Sequence, residues 1–188
     1  MKKSKRNPYV VEYGYHLTHK KELSSILEKG LLPKYRGLQT TSARLYNIQK
    51  DVYKSIRPIY FLTTSDMEKL TFNMKEDLIH YLKYDIILKV EVSDYNQIPD
   101  YNCLILDYGF EYKRRELYLY PHYHYSFYEE LYELLKILNK YKNDYQITIP
   151  LKELKQNEKL QKDLINFTKT FCIDEPIPAY KIKEIIYL

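Results

Sequence analysis

Residues 9–32 carry the clearest patterning of apolar and polar positions in the chain. Tyr9 to Thr18 is rich in Tyr and Val, which predicts a strand, and period-two alternation sends His16 and Thr18 to one of its faces. Leu23, Ile26, Leu27 and Leu31 then recur at helical spacing, so the next element is an amphipathic helix with one apolar face. Gly30 stands where a helix takes a C-terminal left-handed residue, and Leu31 is placed to pack back on Ile26. A polar His-x-Thr pair at the end of an otherwise apolar strand points to a bound ligand there.

The pattern continues with a polar connector, Leu32 to Thr41, and a helix expected over 42–55 with Ser42 as its cap. Pro58 ends that helix and opens a strand, Ile59 to Ser65. Ser65 to Glu68 starts a further helix reaching about Leu82, with acid in its first turn. Asp85 to Val92 is apolar in its first half and alternates in its second, as a central strand with one end at the surface would. Pro99 marks 94–102 as loop, and CLILDYGFEYK, residues 103–113, reads as one strand or as a hairpin around Gly109. Tyr128, Leu131, Leu135, Leu138 and Tyr141 define another amphipathic helix, and a lysine-rich helix spans about 151–167. The chain then reads as strand, proline turn and last strand. Strands and helices mix without regular βα alternation, which favours α+β over a doubly wound sheet.

Composition narrows this only a little. A chain of 188 residues, 45% hydrophobic and 29% charged, is long enough for one domain with a sizeable core, expected over 8–188. The basic run in residues 1–7 reads as a flexible tail. Twenty-three Tyr against 6 Phe and no Trp fits an A+T-rich coding sequence, the functional alternative being rings that stack on bases. A net charge of +5 is mild support for nucleic acid as a partner. Cys103 and Cys172 lie in apolar runs and read as buried thiols, not as a metal or disulfide framework. His122 and His124 alternate like strand residues, but no further ligand stands at useful spacing, so no metal is expected. No signal segment or apolar span is visible, which predicts a soluble cytoplasmic protein with no membrane partner.

Four segments, taken in order, resemble a compact ADP-ribosyltransferase-like domain of the His-Tyr-Glu type. These are HLT at 16–18 with its helix up to Leu31, IYFLTTSD at 59–66, IILKVEV at 86–92 and EPIPAYKI at 175–182. The resemblance implies a split β-sandwich with flanking helices, and NAD as a substrate. It implies that His16 hydrogen-bonds a ribose of NAD with Thr18 helping from the same strand face, that Tyr60 stacks on the nicotinamide, and that Phe61 turns to the core. Where the family places its acid, eight residues before the proline ending PIP, this chain has Thr170, which leaves Glu175 as the substitute catalytic acid. Arg44, Arg57 and Lys113-Arg114-Arg115 are the cations to test for a phosphate-bearing ligand.

Three functions follow as expectations. The first is an NAD-dependent ADP-ribosyltransferase acting on a macromolecular acceptor, protein or nucleic acid, as a toxin, a defence factor or a mobile-element effector would. RNA 2′-phosphotransferase chemistry is a related alternative. The second is a degenerate transferase-like module that binds a nucleotide, a nucleic acid or a protein. The third is a structural or inhibitory protein with coincidental motifs.

Overall fold

In a computed structural model, the described residues are 11–34, 43–55, 57–66, 83–119, 128–144 and 146–188. Among them the fold is α+β, with two antiparallel sheets and six α-helices. The larger sheet has the order β4-β8-β2-β1-β3-β9, formed by Ile98–Pro99, Thr170–Ile173, Ile59–Leu62, Tyr13–Thr18, Ile86–Glu91 and Ile182–Tyr187. Strands β8, β2, β1 and β3 are thus four consecutive neighbours at the centre of this sheet. The smaller sheet, β5-β6-β7, comprises Glu111–Lys113, Glu116–Leu119 and Ile147–Pro150.

Strand alternation gives the large sheet two buried faces. On one, Ile59, Phe61, Phe171, Ile173, Ile86, Leu88 and Val90 form a core that Leu23 and Ile26 of helix α1 (Lys20–Lys29) join. On the other, Leu62 and Cys172 pack with Tyr101, Leu104 and Ile105 of α3 (Tyr101–Asp107) and with Leu117, Leu119, Ile147 and Ile149 of the small sheet. The second core also takes Ile48 of α2 (Ala43–Val52), Leu134 of α4 (Tyr128–Ile137), Leu154 of α5 (Leu151–Gln156) and Leu160 and Leu164 of α6 (Glu158–Thr168). Phe61 and Phe171 stack at 5.2 Å, and Gly14 lies beneath them. A Cβ added at Gly14 would meet Phe61 at 2.7 Å and Phe171 at 2.8 Å.

Several expectations are corrected. Residues 101–107 are helical, because Asp100 caps them by accepting from the Asn102 amide at 3.0 Å, and the hairpin forms only beyond Gly109. The helix expected over 151–167 is two helices. Asn157 ends α5 and caps α6, its side chain accepting from the Leu160 amide at 3.0 Å. Leu27 is exposed instead of joining the apolar face of α1. His19 occupies the N-cap of α1 without a side-chain bond, and Asp85, just before β3, accepts from the Lys20 amide at 2.6 Å in its place. The helix expected over 65–82 lies outside the described residues from 67 onward, as do residues 1–7 and the His122/His124 pair.

The exit of α1 joins two sequence motifs. Gly30 has φ 80° and ψ −172°, a region open essentially to glycine, and differs in ψ from the left-handed helical geometry expected. Leu31 and Ile177 exchange both backbone hydrogen bonds, at 2.8 and 2.9 Å, so the Gly-Leu end of the first motif is paired with the Pro-Ile-Pro turn of the last.

Candidate functional site

The expected site residues all lie on or beside the central strands, and β-sheet geometry divides them. Tyr15 pairs with Leu62 across β1 and β2, so Tyr15, Leu17, Tyr60 and Leu62 share one face. Gly14, His16 and Thr18 turn to the other, the face of Phe61. His16 accordingly touches the Phe61 ring, at 5.6 Å between centroids, while Tyr60 reaches the His16 side only through its main chain. His16 Nδ1 and the Tyr60 carbonyl oxygen are 2.9 Å apart, which makes Nδ1 the protonated nitrogen of a neutral ring and Nε2 the acceptor. The Phe61 expectation of a core residue on the face opposite Tyr60 is what the alternation gives.

Burial lowers the His16 pKa from 6.5, the bond to the Tyr60 carbonyl opposes the shift, and Arg57 adds to the lowering. The folded chain thus resists a proton that the unfolded chain accepts near pH 6.5, and stability should fall as pH drops through that value toward the lowered one. His16→Gln removes this titration. Thermal melts at about pH 7.5 and 5.5 should show a smaller acid-side loss in the variant than in the parent. Identical losses would mean that His16 is not held neutral by the fold.

On the opposite face Tyr60 belongs to a buried polar cluster. Its hydroxyl accepts from Asn102 Nδ2 at 2.7 Å, and burial raises its pKa, with the Cys172 and Asp100 charges next in weight. The carboxyl of Asp100 is pushed up to about 7 by burial, against the amides of Asn102 and Cys103 that stabilise its charge. Tyr53 donates to the Pro99 carbonyl at 3.1 Å and accepts from the Tyr101 amide at 3.3 Å. Thr170 also faces this side, paired with Leu62. It is 6% exposed, and its hydroxyl lies 3.0 Å from Thr168 Oγ1. Cys103 and Cys172 are buried here, and burial raises both thiol pKa values.

Asp100, Asn102 and Tyr53 escaped sequence reasoning. The run Pro99-Asp100 before an apolar stretch was the available signal, since an Asp there can cap a helix by accepting from the following amides. Among the described residues, Asn102 Oδ1 and Ser55 Oγ are buried without a hydrogen-bond partner.

Glu175 is exposed on the turn after β8. Its neighbour Asp174 is buried and accepts from the amides of Lys54 and Ser55, which ties the end of α2 to β8. Glu111 is paired with Lys113 and Glu116 accepts from the Tyr118 hydroxyl, both in the small sheet. The side chain of Arg44 lies outside the described residues. Among the described residues no group of three metal-ligating side chains occurs, and no helix is long and apolar enough to cross a membrane. His16 and Thr18 thus lie on one face of the sheet and Tyr60, Asn102, Asp100 and Thr170 on the other, while Arg57, just before β2, acts electrostatically on both His16 and Tyr60. No family model, curated protein or solved structure matched the chain, so its own geometry is what bears on function.

Proposed function

We propose that this chain is a transferase-like binding module without transferase turnover, the degenerate form of an ADP-ribosyltransferase-like domain. The observation that carries this is the division of His16 from Tyr60 and Thr170 by the sheet. A ribose and a nicotinamide held by one NAD molecule need their contacts on one side of the backbone, with a carboxylate beside the bond that breaks. Here the Tyr60 hydroxyl is occupied by Asn102, and Glu175 faces solvent. Binding without turnover is what such residues support.

The purified chain, incubated with NAD, should release no nicotinamide above the rate without protein, and His16→Ala should leave that baseline unchanged. Release that depends on His16 would overturn the proposal and favour the enzyme. One observation keeps that second function in play: the fixed tautomer of His16 leaves Nε2 as an acceptor for a hydroxyl, on the strand face it shares with Thr18.

A further inference from the structure

The β5–β6 turn is the most unusual piece of backbone in the described structure. Arg114 and Arg115 both have positive φ, 51° and 63°, in a two-residue hairpin turn where Asn-Gly or Gly-Gly is the ordinary choice. Two arginines at such positions are strained, and a strained turn retained with two cations on it invites a functional explanation. The turn does not stand alone. Arg115 accepts from the Leu151 amide at 2.9 Å, and Glu116 pairs with Pro150, so the start of α5 is held against it.

Between turn and helix lies a groove of about 460 Å³. Arg114, Arg115, Lys152 and Lys155 line it, with Pro150 and Leu151 as its apolar part. Among the described residues none of these four cations is in an ion pair, whereas Lys181 and Lys183, for example, are matched to Glu91 and Asp94. Lys155 reaches only the main-chain oxygen of Asp51, at 3.1 Å. The one carboxylate at the groove, Glu116, accepts from the Tyr118 hydroxyl.

We propose that this groove binds the phosphodiester backbone of single-stranded nucleic acid. Guanidinium groups grip phosphate oxygens in pairs, and lysines add point charge. Guanidinium planes and an exposed proline also offer flat surfaces to a base, which carboxylate-bearing peptides do not need. The groove is built from residues separate from the His16 and Tyr60 patches, so the proposal stands whether or not the chain turns over NAD.

The test uses the full chain and a fluorescein-labelled single-stranded RNA of about 15 nucleotides, read by anisotropy across salt concentrations. Arg114→Gly with Arg115→Gly relieves the positive φ, so the double variant should melt no lower than the parent while losing at least tenfold in affinity. Lys152→Ala with Lys155→Ala should lose affinity similarly, and each phosphate contact removed should lower the slope of log K against log salt by about 0.7. Lys159→Ala, on the exposed face of α6, should change nothing. Unchanged RNA affinity in both groove variants would overturn the proposal and assign binding to another basic segment, such as Lys2 to Arg6. Binding of ATP, or of a labelled poly-glutamate peptide, at least as tight as that of the RNA would also overturn it.

Discussion

Gly30→Ala is expected to be the most damaging single-methyl change in the chain. Gly30 adopts a backbone conformation that an L side chain strongly disfavours, and an added Cβ would fall inside the contact radius of the Ile177 carbonyl oxygen and within 3.1 Å of the Ala179 amide nitrogen. Both obstacles are backbone, so no rotamer change relieves them. Steric overlap of this kind costs roughly 1–3 kcal/mol, and the disfavoured dihedrals add about 1–3 kcal/mol more. Losses of that size approach the whole stability of an ordinary domain. Urea unfolding should show a midpoint far below the parent with an unchanged slope. A midpoint within experimental scatter of the parent would mean that Leu31 and Ile177 can separate at little cost.

Thr170→Glu is the second. If the chain were a transferase lacking only its acid, this change would be the natural repair. The side chain instead enters the core shared by Leu62, Cys103 and Cys172, where Thr170 is 6% exposed and hydrogen-bonded to Thr168. A longer, ionisable group there overfills the site and buries a carboxyl without a cation, a loss of about 3 kcal/mol or more. The variant should be largely unfolded by near-ultraviolet circular dichroism and should release no nicotinamide. A folded variant with the parent's melting temperature would place residue 170 at the surface.

These two positions also explain what the sequence could disclose. The strands Tyr13–Thr18, Ile59–Leu62 and Ile86–Glu91 were legible because each is a short apolar run bounded by turn or polar residues. Residues 103–107 were misread because five consecutive residues, four of them apolar, fit a strand as well as a buried helix turn, and only the Asp100 cap decides. The Gly-Leu and Pro-Ile-Pro segments are visible in the sequence, and what the fold makes of them is a mutual backbone clasp. The site was less legible for a geometric reason. Alternation within β1 or β2 is local, whereas which faces of the two strands coincide depends on the pairing of Tyr15 with Leu62, and no nearby residue encodes that register.

The strand order has a consequence for how the chain comes into being. Strands β2 and β3 find their outer neighbours in β8 and β9, residues 170–173 and 182–187, and β4 is held to the sheet only through β8. While the chain is being synthesised, β2, β1 and β3 can pair with one another, but the outer edges of β2 and β3 stay open until β8 and β9 have left the ribosome. Open edges of this kind pair readily with one another between nascent chains. A ribosome stalled anywhere before Thr170 would carry a collapsed but uncompleted sheet, a client for holding chaperones, and cutting the chain back past β8 should convert a folded protein into an aggregating one.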